Sequence, residues 1–202
     1  MKILIIGDLH GQKPKIHFKD FDAIITPGDF CGDNEIGSMY KKYFKYLKEN
    51  KKDEISFDEF SIKEAGGKSK FKQMEKRSLK EGRKILEFLN SFGKPVFIVP
   101  GNWDQSYGKT RIKDMDKSDY NHLKAFLDFY IGDKINSKLI KGLKNIKDSQ
   151  YKLHKFNGIN IIGYGLSSCP EKPIAKKRNY SKKELKILNK FYKRIIEKLD
   201  DT

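Results

Sequence analysis

The chain has 202 residues, of which 37% are hydrophobic, so it can bury one sizeable core without disulfides or other covalent staples. Lys and Arg outnumber Asp and Glu by 43 to 27, and the resulting net charge of +16 favours anionic partners. Cys31 and Cys169 are far apart and form neither a zinc motif nor a disulfide framework, and no apolar run reaches membrane-spanning length. We therefore expect one domain, no membrane association, and a reducing compartment, with the cytoplasm as the default location.

Three apolar runs, each followed by a short polar loop, predict parallel strands of an α/β fold. The run Ile3–Ile6 precedes Gly7-Asp8-Leu9-His10-Gly11, Ala23–Thr26 precedes Gly28-Asp29, and Val96–Val99 precedes Gly101-Asn102-Trp103-Asp104. Ligands of α/β proteins gather at the carboxyl ends of parallel strands, so we expect these loops to lie together at one sheet edge.

The residue types in these loops are those that hold divalent metal ions. Asp8 and His10 can direct an oxygen and a nitrogen at one cation. Asp29 has two carboxylate oxygens and can bridge two cations about 3.5–4 Å apart, while Asn102 offers a neutral carbonyl oxygen to the second. The candidate metal ligands are therefore Asp8, His10, Asp29 and Asn102.

The segment between the second and third loops, at about residues 32–94, is mostly helical in pattern. Apolar residues at helical spacing predict one amphipathic helix at residues 39–47 and another at 79–89, with Gly66–Lys70 as a flexible loop between them. Lysines and tyrosines from Tyr40 to Lys52 are compatible with a cap over the metal loops or with a solvated helix face.

Further elements are predicted after the third loop. Residues 106–117 are predicted to form a loop in which Lys109 and Arg111 could reach a substrate phosphate, followed by a helix at 122–130 and an irregular to extended stretch at 134–147. Residues 151–156 and 160–163 around Asn157-Gly158 predict a β-hairpin. Residues 181–199 predict an amphipathic helix that covers the sheet.

In this order and context, the three loops resemble the calcineurin-like metallophosphoesterase superfamily. Its pattern runs Asp-x-His, Gly-Asp, Gly-Asn-x-Asp/Glu and then two later histidine motifs, and the resemblance covers Met1 to about Gly165. The resemblance implies two packed mixed β-sheets flanked by helices. It also implies two divalent ions (Mn, Fe or Zn) and hydrolysis of a phosphate ester by a metal-bound hydroxide.

Trp103 stands where many members of that superfamily have a histidine paired with the following carboxylate. Asp104 is the candidate catalytic residue by the resemblance, but without an imidazole partner its role narrows to fixing the loop or supporting a ligand. Weaker phosphomonoesterase chemistry and a leaving group that needs less acid assistance are then expected, which favours a phosphodiester or an activated ester. Trp103 itself is compatible with stacking on a substrate ring or with packing on the sheet.

No segment after Gly165 matches the later histidine motifs of the superfamily. His17, His122 and His154 do not stand in a strand-end glycine context, and we expect each to be structural. We accordingly expect the domain to be incomplete at its C-terminus. Two alternatives to an active phosphoesterase remain: an impaired binding or scaffold protein of the same fold, and a nucleic-acid phosphodiesterase or nuclease, which the basic charge favours.

Overall fold

The central element is a four-stranded parallel sheet. A computed structural model describes residues 1–50, 55–101, 103–104, 135–165 and 186. The strands β1 (Ile3–Ile5), β2 (Ala23–Thr26), β3 (Val96–Ile98) and β4 (Ile146–Asp148) lie side by side in that order, and each neighbouring pair is parallel. The three strands predicted from apolar runs are confirmed.

Helices fill the connection between β2 and β3. They are α1 (Asn34–Glu49), α2 (Phe57–Glu64) and α3 (Lys68–Asn90), so both predicted helices are present and each is longer than predicted. The helix α2 was not predicted, although Ser56 and Glu59 form a capping box at its start. The prediction of a loop over Gly66–Lys70 was wrong beyond the two glycines, since Lys68 begins α3.

Side chains alternate between the two faces of the sheet, so each face has its own core. Ile24, Val96 and Ile98 pack against α3 on one face, where Ile85, Leu86 and Leu89 are buried. On the other face, Ala23 and Phe97 join a cluster that includes residues of a second, smaller sheet. The parallel sheet is therefore covered on both sides, as expected for an α/β fold.

The second sheet is an antiparallel hairpin of β5 (His154–Phe156) and β6 (Ile159–Ile161). Asn157 and Gly158 both have positive φ, of 46° and 80°, as a primed turn requires, and the predicted hairpin is confirmed. In the described part of the chain neither sheet is mixed, because the large one is wholly parallel and the small one antiparallel. The expectation of mixed sheets is corrected accordingly.

The stretch before the hairpin is more regular than its sequence suggests. A short helix α4 (Ser137–Ile140) leads into β4, which contains one apolar residue in its three and so carries little strand signal. The helix predicted at 122–130 lies outside the described residues, and so does that at 181–199 apart from Lys186, which is helical. No helix in the described ranges has both the length and the apolarity needed to cross a bilayer.

Candidate metal centre

The loops after β1 and β2 run side by side beyond the strands themselves. The amide of Asp8 donates to the Gly28 carbonyl at 3.2 Å, that of His10 donates to Asp29 at 2.7 Å, and that of Gly11 donates to Phe30 at 2.8 Å. Both loops thus leave the sheet in register, and their side chains emerge at the same edge.

Three of these residues have a backbone conformation that L-amino acids rarely adopt. Asp8, His10 and Asp29 have φ values of 58°, 42° and 53°, in the left-handed region. Such strain persists only where the surrounding structure enforces it, and it is concentrated at functional sites. All three are among the four metal ligands predicted from the sequence.

The side chains of Asp8, His10 and Asp29 converge. Each offers one potential ligand atom, and these atoms all lie within 4.8 Å of one another. His10 Nε2 lies 2.9 Å from Asp8 Oδ1, and Asp8 is 81% exposed at its side chain whereas His10 is 22% exposed. Two carboxylates and one imidazole fit Mn, Fe or Zn by donor chemistry. We call these three residues the metal triad.

Asp29 is a half-buried member of the metal triad, as is His10, whereas Asp8 is exposed. Burial raises the pKa of its carboxyl, while the amide of Trp103, which donates to Oδ1 at 3.1 Å, and the nearby His10 lower it. The negative charges of Asp8 and Asp33 raise the pKa further. Carboxylates gathered in this way favour a bound cation, because its charge would offset both the cost of burying the Asp29 carboxylate and the repulsion between the carboxylates.

Asp33 is a nearby acidic residue that the sequence analysis missed. Its Oδ2 lies 3.7 Å from Nδ1 of His10, on the imidazole nitrogen that does not face Asp8. A carboxylate at the second nitrogen of a ligand histidine commonly orients the ring. The available signal was an aspartate four residues beyond Asp29, directly before α1.

Two glycines allow the loops after β2 and β3 to touch. Gly28 has a φ of 84°, and a methyl group there would collide with the backbone of Gly101. A methyl group at Gly101 would in turn collide with the Asp29 carboxylate. The third loop can therefore approach the metal triad closely only because both positions lack a side chain.

The buried side chain of Asp104 links these loops through hydrogen bonds to their backbone. It is 0% exposed, and its carboxylate accepts hydrogen bonds from the amides of Phe30, Cys31 and Gly101 at 2.9, 2.9 and 3.1 Å. Burial raises its pKa, against the lowering effect of these donors. Because it lies behind the loops and accepts from their amides, Asp104 fits the loop-fixing role that was one of the two expected for it, and a direct catalytic role stays a prediction.

Trp103 lies beside the metal triad and is half-buried. Its ring is 6.2 Å from that of His10, centroid to centroid, and the planes meet at 82°. Part of the ring packs against the core between the sheet and α3, so the expectation that Trp103 packs on the sheet holds for that part of the ring. Asn102, the fourth predicted ligand, lies outside the described residues, as do Lys109 and Arg111.

The histidines outside the metal triad have other surroundings. His17 is exposed on the segment after β1. His154 lies on β5, where Nε2 is 3.1 Å from the Asp148 carbonyl and the ring contacts Phe97. His122 lies outside the described residues. In the part of the chain that the structure describes, the metal triad is the one cluster with metal-binding geometry.

Comparisons with protein families, with curated proteins and with solved structures found no match. The geometry of Asp8, His10 and Asp29 and the sequence motifs that contain them are therefore the basis for a function.

Proposed function

We propose that the protein is a metal-dependent phosphoesterase of the metallophosphoesterase type that favours phosphodiesters. The observation that carries the proposal is the convergence of Asp8, His10 and Asp29, within 4.8 Å, beyond the carboxyl ends of two adjacent parallel strands. Three such groups on strained backbone are costly to bring together unless they bind something. We further propose a cytoplasmic location, in keeping with the free thiol of Cys31.

Asp8 and His10 would hold one divalent ion, Asp29 would bridge to a second, and Asn102 would complete the second site. Bound Mn, Fe or Zn ions supply charge neutralisation at the phosphoryl oxygens and lower the pKa of water. The chain contributes the orientation: the Trp103 amide holds one oxygen of Asp29, and Asp104 holds the loop that carries it.

The preference for diesters follows from the absence of an acid at position 103. Tryptophan cannot protonate a leaving group, and the oxygens of Asp104 are engaged by backbone amides. A leaving group that departs without strong acid assistance is then favoured. The net charge of +16 favours a nucleic-acid phosphodiester within this class.

The first test measures metal binding without turnover. Trp103 is the one tryptophan of the chain and lies beside His10, so paramagnetic Mn²⁺ bound by the metal triad should quench the intrinsic fluorescence. Asp29→Asn should weaken this quenching, whereas Asp20→Asn, at an exposed carboxylate paired with Lys2, should not. Equal quenching in all three proteins would contradict a metal site at Asp29.

The second test measures hydrolysis of bis-(p-nitrophenyl) phosphate and p-nitrophenyl phosphate with added Mn²⁺. We expect faster hydrolysis of the diester, with a loss on the order of 100-fold or more in Asp29→Asn and none in Asp20→Asn. Metal binding without hydrolysis would instead support the binding or scaffold protein. Salt-sensitive binding of DNA or RNA, followed by its cleavage, would identify a nuclease.

A further inference from the structure

An aromatic ring forms one side of the metal triad. The amide of Trp103 donates to Asp29 at 3.1 Å, and its ring lies 6.2 Å from that of His10. Residue 103 therefore contacts one proposed ligand through its backbone amide and lies beside another through its ring. We expect the substituent of an ester whose phosphate is held by these ligands to lie near the indole.

The inserted helices support this ring from behind. Tyr40 of α1 meets Trp103 edge to face, with the centroids 6.0 Å apart, and stacks on Phe57 of α2 at 3.7 Å with the planes 6° apart. Tyr43 continues the series, 5.5 Å from Phe57. An unbroken row of rings thus extends from His10 into the helical insertion, and it fixes the orientation of Trp103.

These rings are more exposed than the side chains of the main core. The core between the sheet and α3 is built largely from fully buried aliphatic side chains such as Ile24, Leu86 and Leu89. By contrast, Trp103 and Tyr40 are half-buried, and the neighbouring Phe44 is 58% exposed. Half-exposed aromatic rings beside a polar site are the arrangement that proteins use to stack planar groups of a ligand.

The helix that carries Tyr40 also has a favourable charge for a phosphate ester. Its sequence contains four lysines and two glutamates, and Lys41 and Lys42, next to Tyr40, are exposed. Lys42 pairs with Glu64, and the helix as a whole carries a net positive charge that attracts an approaching anion at long range.

We propose that Trp103, supported by Tyr40, is a stacking surface for a planar aromatic ring on the substrate. This inference rests on the proposed phosphoesterase function and narrows its substrates to esters with such a ring, a nucleobase or an aryl group. Position 103 then serves substrate recognition in place of acid catalysis.

The test uses ligands that differ only in the planar ring. Isothermal titration calorimetry in the presence of Mn²⁺ compares adenosine 5′-monophosphate with ribose 5-phosphate, and phenyl phosphate with cyclohexyl phosphate. The proteins are the wild type, Trp103→Leu, Trp103→Phe and Tyr40→Leu. Phe18→Leu is the control, because Phe18 is 65% exposed and has no ring partner in the described part of the chain.

We expect the planar member of at least one pair to bind on the order of 5- to 150-fold more tightly, the range for stacking of one ring on an aromatic side chain. Trp103→Leu should abolish this preference by weakening the planar member of the pair much more than its non-planar partner. Trp103→Phe should keep most of the preference, Tyr40→Leu should reduce it, and the control should retain it. If Trp103→Leu does not fold, the comparison of Trp103→Phe, which should keep the preference, with Tyr40→Leu, which should reduce it, tests the inference.

Equal affinities within both pairs, or a preference that survives in Trp103→Leu, would overturn the inference. If such a result accompanied Mn²⁺-dependent hydrolysis, the proposed phosphoesterase function would be kept and only the stacking surface would be rejected. A preference that depends on Trp103 without any hydrolysis would support the stacking surface and contradict the phosphoesterase. Failure to bind any of the four phosphates, which are all monoesters, would overturn the inference, while hydrolysis of bis-(p-nitrophenyl) phosphate would decide the proposed function separately. Preference in the nucleotide pair alone would support the inference and restrict the ring to a nucleobase.

Discussion

Removal of the Asp104 carboxylate should destabilise the fold more than loss of any exposed charge. Its oxygens accept from the amides of Phe30, Cys31 and Gly101, which belong to the loops after β2 and β3. Asp104→Ala would leave these three buried donors without an acceptor. Asp104→Asn should have a smaller effect, because the amide oxygen still accepts from two donors while the amide nitrogen opposes the third.

The magnitude follows from the three unsatisfied donors. Each unsatisfied donor costs about 1–3 kcal/mol. Part of this total is offset because the variant no longer buries a carboxylate, whose burial is unfavourable as its raised pKa indicates. We expect a loss of about 3–5 kcal/mol for Asp104→Ala, the usual range for removing one partner of a buried charged group. At about 2–4 °C per kcal/mol for a chain of this size, Tm should fall by roughly 6–20 °C.

Urea unfolding monitored by circular dichroism measures the free energy, and calorimetry measures Tm. Asp20→Ala is the control, because its carboxylate is exposed and paired only with Lys2 among the described residues. Mn²⁺ binding should also weaken in the Asp104 variants, since the same loop carries Asp29. A change below about 1 kcal/mol for Asp104→Ala would refute the reasoning, as it would mean that the three amides are satisfied elsewhere.

Three further predictions concern the same edge of the sheet. Gly28→Ala should lower the unfolding free energy by about 2–4 kcal/mol, through backbone strain at positive φ and collision with Gly101. Gly158 has a similar φ but open space around it, so Gly158→Ala should cost only about 1–2 kcal/mol. Urea unfolding measures both changes. Burial raises the pKa of Cys31 above its ordinary value of 9.0, so the stability that this thiol contributes is present below pH 9.0 and is lost above it. The loss should be about 1.4 kcal/mol per pH unit until the raised pKa is reached. The difference in unfolding free energy between the wild type and Cys31→Ser should fall with this slope above pH 9.0. The same pH dependence in both proteins would contradict the prediction. Because the pKa of Asp29 is raised, protons should compete with Mn²⁺ at higher pH than at an exposed aspartate, and fluorescence titrations should show weaker binding as the pH falls.

Local patterns in the sequence were sufficient for three of the four strands of the parallel sheet and for three of the candidate site residues. The apolar runs before Asp8 and Asp29 predicted β1 and β2, and the rule that parallel strands end at one edge placed both loops together. The turn at Asn157 was equally readable, because a primed hairpin depends on two adjacent residues. Short elements with weak patterns were missed, as in β4, whose pairing with β3 comes from its neighbours and not from its own residues.

The sequence by itself determined which chemical groups stand at the ends of the strands, and with them the candidate metal ligands. Only the tertiary structure decided that Asp104 turns inward, that Asp33 faces His10, and that Tyr40 supports Trp103. The physical reason is separation along the chain: Asp104 binds an amide 74 residues away, and no local spacing specifies such a contact. Contacts of this kind arise when the strands and helices pack, and they determine whether a polar residue faces a ligand or supports the loop behind it.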